Sequence, residues 1–317
     1  MAKILFFGST DDSVIVLEKL ITVSPINWSL SCIVTQPPKP TGRDQTITPT
    51  PVETWAKEHN IVCLSFENDS NKPWLYKNTQ QVIDTLQPIA PDILISASYG
   101  QMIPWDTINS AKFGGINIHP SILPHWRGAD PVPWAIMSGD HQIGVTVVTL
   151  SQTFDEGKIL AQEKIPITPE DTSDPLRTKL FTIGADLLTE TLPLVSSGKI
   201  KAKDMHMPDP KPPYARKFTR DDGFEPWEDL YRSVTEGTDA DRIDRKFRAL
   251  DPWPGVWTKI TNLQSDKVTA QDEKRLKILK LHLNNQKIVI DQVQLEGKKP
   301  VSWEQFVQGY LPKTTPI

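Results

Sequence analysis

Asn117 and His119 stand two residues apart in Gly115-Ile-Asn-Ile-His119, and that spacing puts both side chains on one face of a strand. Ile116 and Ile118 take the other face. The strand then stops, because Pro120, Pro124 and Gly128 interrupt regular backbone in the segment that follows. Two polar side chains are therefore expected at the open end of a strand, ahead of a rigid loop. In an open α/β sheet that end is where ligands bind. Asparagine brings an amide donor, and histidine is the residue type whose proton moves near neutral pH. An isolated histidine is more often a hydrogen-bonded structural group than a catalyst. The strand-end position and the stiff loop argue the other way.

The elements around this stretch alternate. Residues 3–8 are a continuous apolar run, fit for a strand buried on both faces. A helix follows Gly8-Ser-Thr-Asp-Asp, with Val14, Leu17, Leu20 and Ile21 at helical spacing. Strands are expected at 30–34, 62–66, 92–98, 144–150 and 159–167, and helices at 52–59, 80–86, near 131–138 and over 175–196. That alternation predicts an α/β fold with a doubly wound, mainly parallel sheet. Only one glycine marks the first strand–helix turn, so a dinucleotide site is not supported. Residues 36–51 form a long Pro-rich loop, and loops of that length inside a domain are functional or disordered. Pro208-Asp-Pro-Lys-Pro-Pro213 reads as a stiff linker. Beyond it lie a helix at 241–250 and short β runs at 257–260, 276–283 and 287–295, which suggest a small barrel of the oligonucleotide-binding type. The expected domains are 1–203, a linker at 204–213, and 214–317. A chain cut in the linker is expected to leave a folded first domain.

Composition narrows the class. A chain of 317 residues is long enough for two domains, and 10 Trp and 10 Phe supply a real core. No stretch approaches the ~18 apolar residues of a membrane span. Met1-Ala-Lys leads straight into an apolar strand, so no targeting segment is expected. Cys32 and Cys63 read as buried free thiols of a reducing compartment, and without a Cys cluster no metal site is expected. The reading is a cytoplasmic, monomeric protein with no membrane partner. The net charge of −4 conceals −8 in residues 1–198 and +4 in residues 199–317. That asymmetry fits a polyanion partner, as it would a solvated charged face.

Asn117-Ile-His119-Pro-Ser-Ile-Leu-Pro124 with Arg127-Gly128, followed by Thr153-Phe-Asp155-Glu-Gly157, resembles the signature of the folate-dependent formyltransferases. The resemblance implies a Rossmann-like catalytic domain, with Asn117, His119 and Asp155 as catalytic residues. It implies that Ser121, Ile122, Leu123 and Pro124 line the folate site. Tyr99 and Gly100, at the end of another strand, can flank the same pocket, although aromatics at strand ends are usually core. Formyl transfer passes through a tetrahedral carbon bearing an oxyanion, so it needs a donor aimed at that oxygen and a group to move the amine's proton. Asn117 can serve the first need and His119 either one. Asp155, in the turn after a strand, can orient His119, although Asp also favours turns for its own reasons. Arg127 reads as a surface ion pair.

Later motifs match the branch of the family that formylates methionyl-tRNA. They are Pro40-x-Gly42-Arg43 with Pro49-x-Pro51-Val52, Tyr214-Ala-Arg-Lys217, Leu250-Asp-Pro-Trp-Pro-Gly255 and Gln294-Leu-Glu-Gly297-Lys-Lys299. The implied reaction moves a formyl group from 10-formyltetrahydrofolate, as co-substrate, to the methionine amino group of initiator methionyl-tRNA. Arg43 is the implied tRNA contact. Glu156 stands where a Thr is usual, the 36–51 loop carries few basic residues, and the C-terminal β region is short. The alternatives are a sugar-nucleotide N-formyltransferase, or a catalytically silent folate- or RNA-binding relative.

Overall fold

The computed structural model describes residues 2–23, 28–42, 44–261 and 273–311. Their contacts divide the chain into two units, 1–131 with 142–166 and 176–215, and 132–141 with 167–175 and 216–317. The division does not follow a linear cut at 203 and 214. Two short segments group with the C-terminal part, and Tyr214–Ala215 group with the N-terminal part.

The first unit is built on a seven-stranded sheet. In chain order its parallel strands are β1 (Ala2–Gly8), β2 (Trp28–Thr35), then, after the short strands β3 (Lys39–Thr41) and β4 (Thr46–Thr48), β5 (Cys63–Ser65), β6 (Ile93–Ala97) and β7 (Gly115–His119). A two-residue strand β8 (Arg127–Gly128) precedes the antiparallel strands β9 (Gln142–Thr149) and β10 (Ile159–Pro166). The spatial order is β10-β9-β7-β6-β1-β2-β5. The chain winds outward from β1 and then returns to its other side, so the strand order reverses between β1 and β6 beside β7. That reversal opens a crevice at the carboxyl ends of these strands.

β1 is central, and Leu5, Phe6 and Phe7 are fully buried, as an apolar run with no polar alternation requires. The turn after β1 is fastened by Ser13 of helix α1 (Asp11–Thr22). Its Oγ accepts the N–H groups of Ser9 and Thr10 and donates to the Ala97 carbonyl at 2.7 Å. Helix α2 (Pro51–Glu58) starts as its sequence dictates, with Pro51 at the first position and Thr50 capping Glu53 N–H at 3.0 Å. Helices α3 (Thr79–Leu86), α4 (Trp105–Ser110) and α5 (Pro131–Ser138) follow, the last lying almost entirely in the second unit. Helix α6 (Ser173–Ser196) is the longest, and residues 176–196 belong to the first unit. The 36–51 segment, expected as irregular loop, contains the exposed hairpin of β3 and β4, with Lys39 opposite Thr48. Its alternating Thr residues suit an extended pair.

In the second unit, strands β12 (Trp257–Ile260), β13 (Lys274–Asn284), β14 (Lys287–Leu295) and β15 (Val301–Ser302) form an antiparallel sheet in that order among the described residues. β13 and β14 join through Asn285 and Gln286, both at positive φ, the tight primed turn that suits twisted strands. Leu276, Ile278, Ile288, Ile290 and Val293 point inward and pack with Leu230, Ile243 and Phe306. These last come from helices α7 (Trp227–Thr235), α8 (Ala240–Leu250) and α9 (Trp303–Tyr310). Only α8 was legible as a helix. α7 and α9 are short, 9 and 8 residues, and fully bury few side chains, Leu230 and Ser233 in one and Phe306 in the other. Among the described residues no helix is long and apolar enough to cross a membrane.

Candidate active site

β7 delivers Asn117 and His119. Asn117 is half-buried between Ser96 of β6 and Val148 of β9, and His119 lies opposite Thr146 of β9 with 4% of its surface exposed. Their spacing puts both on the same face at the strand end.

The turn after β9 brings Asp155 to the same place. Its Oδ1 lies 3.4 Å from His119 Nδ1, and its Oδ2 accepts the Gly128 N–H at 3.0 Å. The other ring nitrogen, Nε2, is 2.9 Å from the carbonyl oxygen of Trp126. The Trp126 carbonyl can only accept, so Nε2 donates to it, and Nδ1, facing the Asp155 carboxylate, is the position at which the ring can take up a proton. The ring is thereby held from two sides, by a backbone carbonyl of the loop and by a carboxylate. Asp155 has a φ of 57°, a left-handed conformation that Asp tolerates better than most residues. Gly157 has no space for a side chain, since a Cβ there would lie 1.8 Å from the Thr149 carbonyl oxygen. The Asp-x-Gly order thus answers to backbone geometry as well as to charge. Next to it Arg127 and Glu156 form an ion pair, with the Arg127 side chain only 10% exposed. The expected ion pair is present, but Arg127 is largely buried.

The loop after β7 is clamped by two residues the sequence reading missed. Thr146, with no exposed surface, donates its hydroxyl to the Ser121 carbonyl at 2.7 Å and accepts the Leu123 N–H at 3.2 Å. Gln162 of β10 stands opposite Thr146 and reaches its Oγ1 at 2.8 Å and the Leu123 carbonyl at 3.2 Å. His119, Thr146 and Gln162 thus form one row across three strands. Ser121 is itself fully buried and donates to the His125 carbonyl at 2.7 Å. Ile122 and Pro124 are half-buried, while Leu123 is buried.

Tyr99 and Gly100 lie at the end of β6. The Tyr99 ring belongs to the core, edge-on to Phe7 at 5.3 Å, with its hydroxyl 2.9 Å from that of Tyr76. Burial, then the neighbouring Tyr76, push its ionisation far up. What Tyr99 offers at the strand end is backbone, and its carbonyl accepts from Gln36 Nε2 at 2.7 Å. Gly100 is exposed. Arg43 lies outside the described residues.

The Formyl transferase family matches residues 2–192, and the Formyl transferase C-terminal domain matches residues 237–288. The chain belongs to the formyl transferase family. It is therefore an enzyme of one-carbon group transfer. The methionyl-tRNA formyltransferase of Dictyoglomus thermophilum is 32% identical to this formyltransferase over 97% of each chain. Among solved structures, a 4-N formyltransferase from Francisella tularensis shares the fold with a TM-score of 0.58, at 18% identity, over 81% of this chain and 92% of its own. An N-formyltransferase from Helicobacter canadensis, solved with folinic acid and dTDP-3-aminofucose, shares it with a TM-score of 0.57, at 13% identity, over 92% and 95%.

Proposed function

We propose that this formyltransferase uses 10-formyltetrahydrofolate to formylate the methionine amino group of initiator methionyl-tRNA, for translation initiation. The observation that carries the reading is the His119–Asp155 pair beside Asn117, in a chain whose likeness to a methionyl-tRNA formyltransferase runs through its C-terminal part. The amine nitrogen attacks the formyl carbon, and the carbonyl oxygen becomes an oxyanion that the Asn117 amide stabilises. The proton released by the amine passes to the His119–Asp155 pair. The bond from carbon to N10 then breaks, N10 takes a proton, and tetrahydrofolate leaves. Ser121 to Pro124, with the strand end at Tyr99 and Gly100, hold the folate. Arg43 presents a cation to a tRNA phosphate, which makes binding salt-dependent. The enzyme acts in the cytoplasm as a monomer.

The test is the purified protein with 10-formyltetrahydrofolate, offered methionyl-tRNA or an amino-sugar nucleotide. Formyl-methionyl-tRNA is the expected product; formylation of the sugar alone would overturn the reading. Asn117→Ala and His119→Ala are each expected to lower kcat about 100-fold, the usual loss for one donor to an oxyanion, with folate still bound.

A further inference from the structure

Strand β11 (Tyr214–Ala215) follows the linker yet belongs to the first unit. It runs parallel to β8, with Tyr214 opposite Arg127 and Ala215 opposite Gly128. The Ala215 carbonyl accepts the N–H groups of Ala129 at 2.7 Å and Asp130 at 3.2 Å. The approach is close. Gly128 has a φ of +118°, and a Cβ there would lie 2.6 Å from the Ala215 carbonyl oxygen and 2.8 Å from two ring carbons of Tyr214. The same Gly128 holds the Asp155 carboxylate through its N–H. The Tyr214 ring therefore sits one residue's width from the carboxylate that faces His119. Tyr214 as a residue is nonetheless 54% exposed. Partial burial, then the nearby Asp155 charge, push the phenol's ionisation up against the opposing pull of Arg127. A half-bare, uncharged aromatic ring borders the reacting groups.

We propose that the exposed ring of Tyr214 is the surface on which the terminal adenine of the acceptor tRNA stacks. This rests on the reading that methionyl-tRNA is the acceptor. The reacting amine belongs to an amino acid esterified to the terminal ribose. With the amine at His119 and Asp155, the base on that ribose is tethered a few covalent bonds away. The 3′ end is single-stranded, so the base presents a bare π face, and proteins bind such bases by stacking them on aromatic side chains. Tyr214 supplies such a ring at the edge of the site, fixed by β11 pairing and not by a mobile side chain alone.

The experiment is a cycle on two partners. Full-length protein, wild type and Tyr214→Ala, is titrated with tRNA ending in CCA and with the same tRNA lacking its terminal adenosine. Removal of the adenosine is expected to weaken wild-type binding about tenfold, within the range for one stacked base, and to leave Tyr214→Ala binding unchanged. Tyr214→Phe and Tyr214→Trp should restore the difference, and in turnover Tyr214→Ala should raise KM for methionyl-tRNA with folate affinity kept. An equal loss in wild type and Tyr214→Ala, or no loss in either, overturns the proposal. Should Tyr214→Ala fail to fold, a Tyr214→Phe or Tyr214→Trp protein with no adenosine dependence overturns it equally. A wild-type enzyme inactive on methionyl-tRNA overturns the functional reading itself, a result distinct from an active enzyme indifferent to Tyr214.

Discussion

At the scale of the residue, the site depends on how one imidazole is held. His119 lies between the Trp126 carbonyl and the Asp155 carboxylate, and Asp155 is in turn fixed by the Gly128 N–H. Asp155→Asn keeps the turn, since Asn also tolerates the left-handed region, and its amide oxygen can still accept from Gly128. What it removes is the negative charge facing Nδ1. The expected outcome is a fall in kcat of about 100-fold and a displaced pH–rate profile, with folate binding intact. An unchanged profile would show that the two groups do not act together. Asn117 and His119 were legible as a strand-end pair from strand period alone, whereas Asp155 was singled out only through the family resemblance of its segment. The Trp126 carbonyl was not legible, since every residue carries one and only the fold decides which carbonyl meets the ring. Tyr99 shows how an aromatic at a strand end is usually core: its ring is packed against Phe7 and Tyr76, and only its backbone is offered at the strand end.

At the scale of the element, the loop from Ser121 to Pro124 is shaped by the strand beside it. Thr146 meets the Ser121 carbonyl and the Leu123 N–H at once, and Gln162 completes the clamp. Thr146→Val keeps the volume and removes the hydroxyl, so a buried carbonyl and a buried N–H both lose a partner. Such orphaned groups cost about 1–3 kcal/mol. A lower unfolding temperature and a raised KM for the folate donor are expected, and Thr146→Ser should recover most of both. If Thr146→Val melts and binds donor as wild type does, the clamp is not what shapes the loop. The sequence placed β9 well, because a Val-rich run announces a strand, and β10 to within a residue. It could not single out Thr146 or Gln162, whose roles come from cross-strand register with His119, and register is set by pairing partners far away in the chain.

At the scale of the whole molecule, the difference between a linear reading and the folded chain has a consequence for truncation. The prolines alone point to a cut within 204–213, but it would remove β11, leaving the Ala129 and Asp130 N–H groups without the Ala215 carbonyl. It would also strip partners from 132–141 and 167–175. Trp134 stacks on Phe218 with centroids 4.7 Å apart, Ser173 donates to the Ala249 carbonyl at 2.6 Å, and Arg248 to the Asp171 carbonyl at 2.8 Å. Those links were invisible in sequence because they join segments of unlike composition, and composition was the only guide to the boundary. Two fragments separate the contributions. Residues 1–215 keep β11 and are expected to bind the folate donor, with an unfolding temperature below that of the full chain because Trp134 and Ser173 have lost their partners. Residues 1–208 lack β11 as well and should be less stable still, by about 0.5–1.5 kcal/mol for each hydrogen bond that Ala129 and Asp130 exchange for water. Thermal unfolding and donor binding on the two fragments read this directly. Equal stability in both would mean that β11 adds nothing to the first unit, and that the linker is the true end of the catalytic fold.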